Sequence, residues 1–194
     1  MKRLVFLLEE PSAKEMLKAI LPRVLPGDIY PEFKVFEGKQ DLEKGLTRTL
    51  KAWRIPNCAF IVIRDQDNGY CMDIKQKLNN LCQQANKDNV LVRVACRELE
   101  SFYLGDLRAV EKGLQLSGLA IKQNKRKYRE PDRLGNPSLE LEQLTSGVYQ
   151  KVSGSRAIAP HLNMEGNKSN SFKVLIAGIL KLAATLKGNI TNEL

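Results

Sequence analysis

Four short apolar runs separated by amphipathic stretches fill the first hundred residues, and this alternation most limits the folds open to the chain. Residues 2–8 carry five consecutive apolar side chains, Leu4 to Leu8, the pattern of a strand covered on both faces. Pro11-Ser12 opens a helix through about residue 25, with Ser12 as its cap and Glu15 completing a capping box. Pro26-Gly27-Asp28 then interrupts the chain. Residues 33–36 form a second strand, followed by a helix over 41–53 with Leu42, Leu46, Leu50 and Trp53 at helical spacing. Residues 58–63 are the most apolar strand, and the stretch from 72 to about 85 is a helix with Ile74, Leu78, Leu81 and Cys82 inward. A fourth strand over 90–95 and a helix over 99–113 complete the alternation. Strand and helix in this order build a parallel sheet with right-handed crossovers.

Beyond about residue 115 the pattern changes. Residues 122–133 set six basic side chains against Glu130 and Asp132 and read as an exposed loop or lid. A helix over 138–152, an irregular stretch over 154–166 and a last helix over about 171–186, capped by Ser169 and Ser171, follow. The expected fold is therefore α/β: a parallel sheet of about four strands flanked by helices over 1–115, and a basic loop with a mostly helical cap over 116–194.

Thirty-one Lys and Arg against 22 Asp and Glu give a net charge of +9, which favours a polyanionic partner through counterion release. No apolar run approaches the ~20 residues of a membrane span, and the short opening run lacks a signal-peptide cleavage site, so a soluble, cytoplasmic protein with no membrane partner is expected. Cys58, Cys71, Cys82 and Cys96 form no Cys-x-x-Cys pair, and one histidine, His161, cannot complete a zinc set; reduced thiols are expected. Gly38-Lys39 lacks the spacing of a phosphate-binding P-loop.

In parallel sheets ligands bind beyond the carboxyl ends of the strands, and acidic residues collect there. Glu9 and Glu10 follow the first strand, Asp65 and Asp67 the third, Glu98 and Glu100 the fourth. Side chains two apart on extended backbone share a side, so Asp65 and Asp67 would share one ion if the strand geometry persists. Repelling carboxylates in one crevice suit a hard divalent cation, Mg2+ or Mn2+. Turn formation is the competing account of Asp67-Asn68-Gly69.

A glutamate closing the first strand, in Leu7-Leu8-Glu9-Glu10-Pro11-Ser12, and an Asp-x-Asp closing a later apolar strand resemble the TOPRIM domain of topoisomerases, primases and the overcoming-lysogenization-defect nucleases. Glu37-Gly38-Lys39-x-Asp41-Leu42, Arg64-Asp65-Gln66-Asp67, and the stretch from Cys96-Arg97-Glu98-Leu99-Glu100 to Gly105-Asp106 are similar to a bacterial TOPRIM-like family of unknown function. So is the late stretch from Gly154-Ser155-Arg156 to Ser171-Phe172. The resemblance implies a nuclease or nuclease subunit with an ATPase partner, in a defence or mobile-element setting. Glu9, or Glu10 in its place, would be the general acid or base, Glu9 would alternatively be a metal ligand, Asp65 and Asp67 would hold magnesium, and Glu98 or Glu100 would complete a second metal position. Two departures stand out: Glu10 replaces the usual glycine, and Ala13 replaces an acidic residue four after the glutamate.

Phosphodiester cleavage by such a site would use metal-activated water, with DNA or RNA held by Lys39, Arg64, Arg97, Lys125, Arg126, Lys127 and Arg156. Tyr128, inside the basic run, would stack on a base. The alternative is a non-catalytic TOPRIM-like module that binds nucleic acid or docks the ATPase.

Overall fold

A computed structural model describes residues 1–188. Its centre is a four-stranded sheet of β1 (Lys2–Leu8), β2 (Ile29–Val35), β3 (Cys58–Asp65) and β4 (Val90–Ala95), all parallel, in the order β2-β1-β3-β4. The two middle strands are the two with the longest apolar runs. Leu4 to Leu8 are each 0% exposed, because successive side chains enter opposite layers. Leu4, Phe6 and Leu8 join Ala59, Ile61 and Ile63 in one layer, while Val5 and Leu7 join Phe60 and Val62 in the other.

The connecting helices obey the same division. Helix α1 (Pro11–Val24) buries Met16, Leu17 and Ile20 in the first layer. Helices α2 (Lys39–Ala52) and α3 (Cys71–Gln83) bury Leu42, Leu46, Leu50, Ile74 and Leu78 in the second. The chain thus leaves β1 towards β2 on one side and returns past β1 to β3 on the other. The carboxyl ends of β1 and β3 flank the point where the winding reverses, which is where doubly wound sheets open a crevice.

The first layer is closed by the C-terminal part of the chain, and one apolar cluster takes in both Leu4 and Leu175. The stretch expected as one helix over 99–113 is two, α4 (Glu100–Leu104) and α5 (Leu107–Gly113), because Asp106 accepts from the Ala109 amide and starts a new helix. The loop carrying Asn167 lies so close against Gly105 that a Cβ there would collide with the Asn167 side-chain oxygen. Gly113 meets the backbone of Ala157 and Ile158 in the same way, at 2.5–2.6 Å from where its Cβ would stand.

The basic run is not a free lid. It forms a 3-10 turn (Ala120–Asn124), a short α6 (Arg126–Arg129) and a second 3-10 turn (Pro131–Arg133) around buried Tyr128. Asp132 ties it down by accepting from the Ser169 hydroxyl at 2.6 Å and the Ser171 amide at 2.8 Å. The expected helix over 138–152 ends early as α7 (Pro137–Leu144), and the stretch expected to be irregular begins as α8 (Lys151–Ile158). Helix α9 (Asn170–Lys187) closes the layer, with Ser169 capping it through the Phe172 amide. Helix α1 has no side-chain cap: Glu10 holds the cap position, and the Ser12 hydroxyl donates to the Glu10 carboxylate instead of closing a box. Among the described residues no helix is long and apolar enough to cross a membrane.

Candidate active site

Strand alternation decides which way the acids at the crevice point. Asp65 shares the face of Ile61 and Ile63, so its carboxyl turns under the C-terminal part of the chain and is only 8% exposed. Arg64 faces the other layer, donating to Glu43 on α2 at 3.0 Å and standing 3.9 Å from Glu9. The Glu9 carboxylate bridges the two strand ends by accepting the Asp65 amide at 3.0 Å.

The pleat stops at Gln66. Asp67 takes a left-handed backbone, φ 53°, in the turn towards Gly69, so it does not line up with Asp65. Its carboxylate pairs with Lys39 on α2 at 2.8 Å, on the side away from Asp65. Asp and Asn tolerate that conformation better than most residues, which is why Asp67-Asn68-Gly69 turns. Glu98 and Glu100 also separate: Glu98 accepts the Ser138 amide at the start of α7 at 2.7 Å, whereas Glu100 is 0% exposed beneath Tyr149.

The expected Mg2+ or Mn2+ centre is therefore not supported. Among the described residues no group of three or more His, Cys, Asp or Glu side chains is arranged to hold a metal ion. Of the five expected ligands, Glu9 accepts the Asp65 amide, Asp67 pairs with Lys39, Glu98 accepts the Ser138 amide and Glu100 accepts the Tyr149 hydroxyl, while Asp65 itself is nearly enclosed. The repulsion expected to draw in a cation is countered by a lysine.

That lysine is Lys151, the first residue of α8. Its half-exposed ammonium stands 3.4 Å from Glu10, whose other oxygen takes the Ser12 hydroxyl. Burial lowers its affinity for a proton, but Glu100, Glu10 and Asp65 together outweigh that and hold the ammonium charged. Burial pushes the Asp65 carboxyl well above the ordinary carboxylate range, and Glu10, Glu100 and Glu9 push it further against the pull of Lys151. Burial also raises Glu100, opposed by Lys151 and by the Tyr149 hydroxyl that donates at 2.9 Å. Its other oxygen is enclosed with no hydrogen-bond partner among the described residues. Glu9 is raised by burial too, against the bond from the Asp65 amide. This end of the sheet thus sets the Glu10–Lys151 ion pair beside a buried carboxyl whose affinity for its proton is raised, the pairing that general acid–base chemistry needs.

The expected nucleic-acid contacts divide. Lys39 and Arg64 pair with Asp67 and Glu43, Lys127 with Glu140 at 2.7 Å, and Arg156 with Glu15 at 2.6 Å. Arg97 donates to the Asp67 carbonyl at 3.1 Å. Lys125 and Arg126 are exposed on the basic run. Tyr128 cannot stack on a base: it is buried and its hydroxyl donates to Glu140 at 2.6 Å. His161 is exposed on a 3-10 turn.

Sequence reasoning missed Lys151 and Tyr149. Both lie some fifty residues beyond Glu100 in an ordinary polar stretch, and only the packing of α8 on α1 brings them to the crevice.

Residues 8–180 match the family described as Domain of unknown function (DUF4276). No curated protein matches the chain, and no solved structure matches it.

Proposed function

The chain belongs to the DUF4276 family, whose function is unknown, and from its own residues we propose that it is a TOPRIM-like nuclease subunit that cleaves phosphodiester bonds of nucleic acid in the β1/β3 crevice. The observation that carries the proposal is the buried Asp65 carboxyl beside the Glu10–Lys151 pair at the point where the sheet reverses its winding. A glutamate after β1 and an Asp-x-Asp after the neighbouring β3 support the TOPRIM likeness. An excess of basic residues supports a nucleic-acid partner. An ATPase partner is part of the proposal on the likeness alone.

An acid–base pair, in place of converging carboxylates, favours RNA as the substrate, because its 2′-hydroxyl brings the nucleophile to the phosphorus. In the proposed step Glu10 takes the 2′-hydroxyl proton, the O2′–P bond forms and the P–O5′ bond breaks. The leaving O5′ takes the Asp65 proton, giving a 2′,3′-cyclic phosphate and a 5′-hydroxyl. Lys151 faces the charge that develops on the non-bridging oxygens. Glu100, fully enclosed, is a positioning residue for Lys151 and Tyr149.

The test is cleavage of RNA by the purified chain, alone and with an ATPase partner, in excess chelator. Expected are cyclic-phosphate ends with chelator present and no cutting of DNA. Cutting that appears only with added Mg2+ or Mn2+ would contradict the proposed chemistry. No cutting under any condition would favour the second reading, a binding or docking module, which is supported by how many acids and cations of the region already pair with each other.

A further inference from the structure

The sequence-derived nucleic-acid contacts are mostly engaged within the protein, so a backbone-binding surface has to come from cations that are not. One such group runs down α2. Lys44, Arg48 and Lys51 are spaced four and three residues apart, which puts them on one face over ~10 Å of helix. Arg54 continues the line just past the helix end. All four are exposed, none forms an ion pair among the described residues, and with Thr47 and Ala52 they line one shallow depression.

The acids of α2 are turned elsewhere. Glu43 is held by Arg64 and Lys77, and Asp41 accepts the Glu37 amide at 3.0 Å. Four cations thus face solvent with no carboxylate spent on them, although the helix carries two. The top of the same helix adjoins the crevice, since the Gly38 amide donates to the Glu9 carbonyl at 3.0 Å. The stripe itself faces solvent on the side of α2 opposite buried Leu42, Leu46 and Leu50.

We propose that this stripe binds the phosphate backbone of double-helical RNA. The partner's class follows from the chemistry. The stripe offers only donors and positive charge, which suit phosphates, and Thr47 has already given its hydroxyl to the Leu81 carbonyl. It offers no exposed ring: the nearest, Trp53, is half-buried with its edge on Phe60, so no platform exists for stacking unpaired bases. Duplex RNA is recognised mainly by shape and backbone. The choice of RNA over DNA rests on the function proposed above.

The experiment is fluorescence anisotropy with an RNA duplex of roughly 16 base pairs, using the full chain carrying Asp65→Asn so that binding is read without cleavage. Replacing Lys44, Arg48, Lys51 and Arg54 together by glutamate should weaken binding at least ~30-fold and reduce the log–log salt slope by about 3. Lys44→Gln and Lys51→Gln alone should each weaken it ~2–3-fold while leaving the unfolding midpoint unchanged, which guards against misfolding of the fourfold variant. Unchanged affinity and slope would overturn the surface. Equal affinity for a DNA duplex of the same sequence would overturn the assignment to RNA. Since binding is measured apart from cutting, an inert crevice and an inert stripe give different results.

Discussion

Replacing Asp65 by asparagine should abolish cleavage and, at alkaline pH, make the folded chain more stable. Asparagine keeps the size of the side chain but has no proton to give the leaving oxygen, so a loss of ~10²–10⁴-fold is expected from the missing general acid. The stability effect follows from proton linkage. Burial raises the Asp65 carboxyl above its ordinary range, so the folded chain binds more protons there than the unfolded chain. Its stability therefore falls as pH rises from the unfolded carboxylate range through the raised value. The asparagine side chain is never ionised and escapes that fall. The two proteins should unfold alike near pH 4, and the variant should gain with rising pH. The variant is expected to have the higher unfolding midpoint of the two at pH 8. Calorimetry at both pH values, beside the cleavage assay, checks it. A lower midpoint at pH 8 would mean that the ionised carboxylate stabilises the fold.

Lys151→Met is the second large effect, and it separates charge from packing. The ammonium is half-exposed, so water screens its pairing with Glu10 and little stability is lost with it. Its work is at the reacting phosphate, where removing one pre-set positive group costs ~10²–10³-fold in rate. It also restrains Asp65 and Glu100 from rising further. Without it both carboxyls titrate higher, and the alkaline limb of the rate profile, where the general acid is lost, should move to higher pH. Lys151→Arg should restore most of the rate and the original limb. A purely structural lysine would leave that limb where it was.

Much of the fold was legible because it is written in periodicity. The bounds of β1 and β4 agree with the sequence expectation, since runs such as Leu4 to Leu8 have no other use than burial on both faces. Strand β2 begins at Ile29, four residues ahead of its expected start, because it lies at the sheet edge, where exposed Tyr30 and Pro31 dilute the apolar signal. The breaks at Asp106 and after Leu144 depend on single capping and turn residues, which a periodic pattern overrides. Helix α8 is short and carries Gly154, so its residues read as loop.

The acids were legible as strand-end residues, but their directions were not. Asp65 and Asp67 share a side only while the backbone stays extended, and the left-handed turn at Asp67 reverses that two residues past the strand. Lys151 changes the meaning of the crevice from metal centre to acid–base pair, and no local pattern links it to Asp65. It is brought there by the packing of α1 and α8 across more than a hundred residues of chain.

The proposed chemistry requires that the Asp65 carboxyl keep its proton where exposed carboxylates have lost theirs. Carbon-13 spectra of carboxyl-labelled aspartate, assigned by difference from the Asp65→Asn protein, measure this directly. The predicted result is one aspartate titrating well above the others, with its midpoint rising further in Lys151→Met. An Asp65 that titrates with the exposed aspartates, near the ordinary value of about 4, would contradict it.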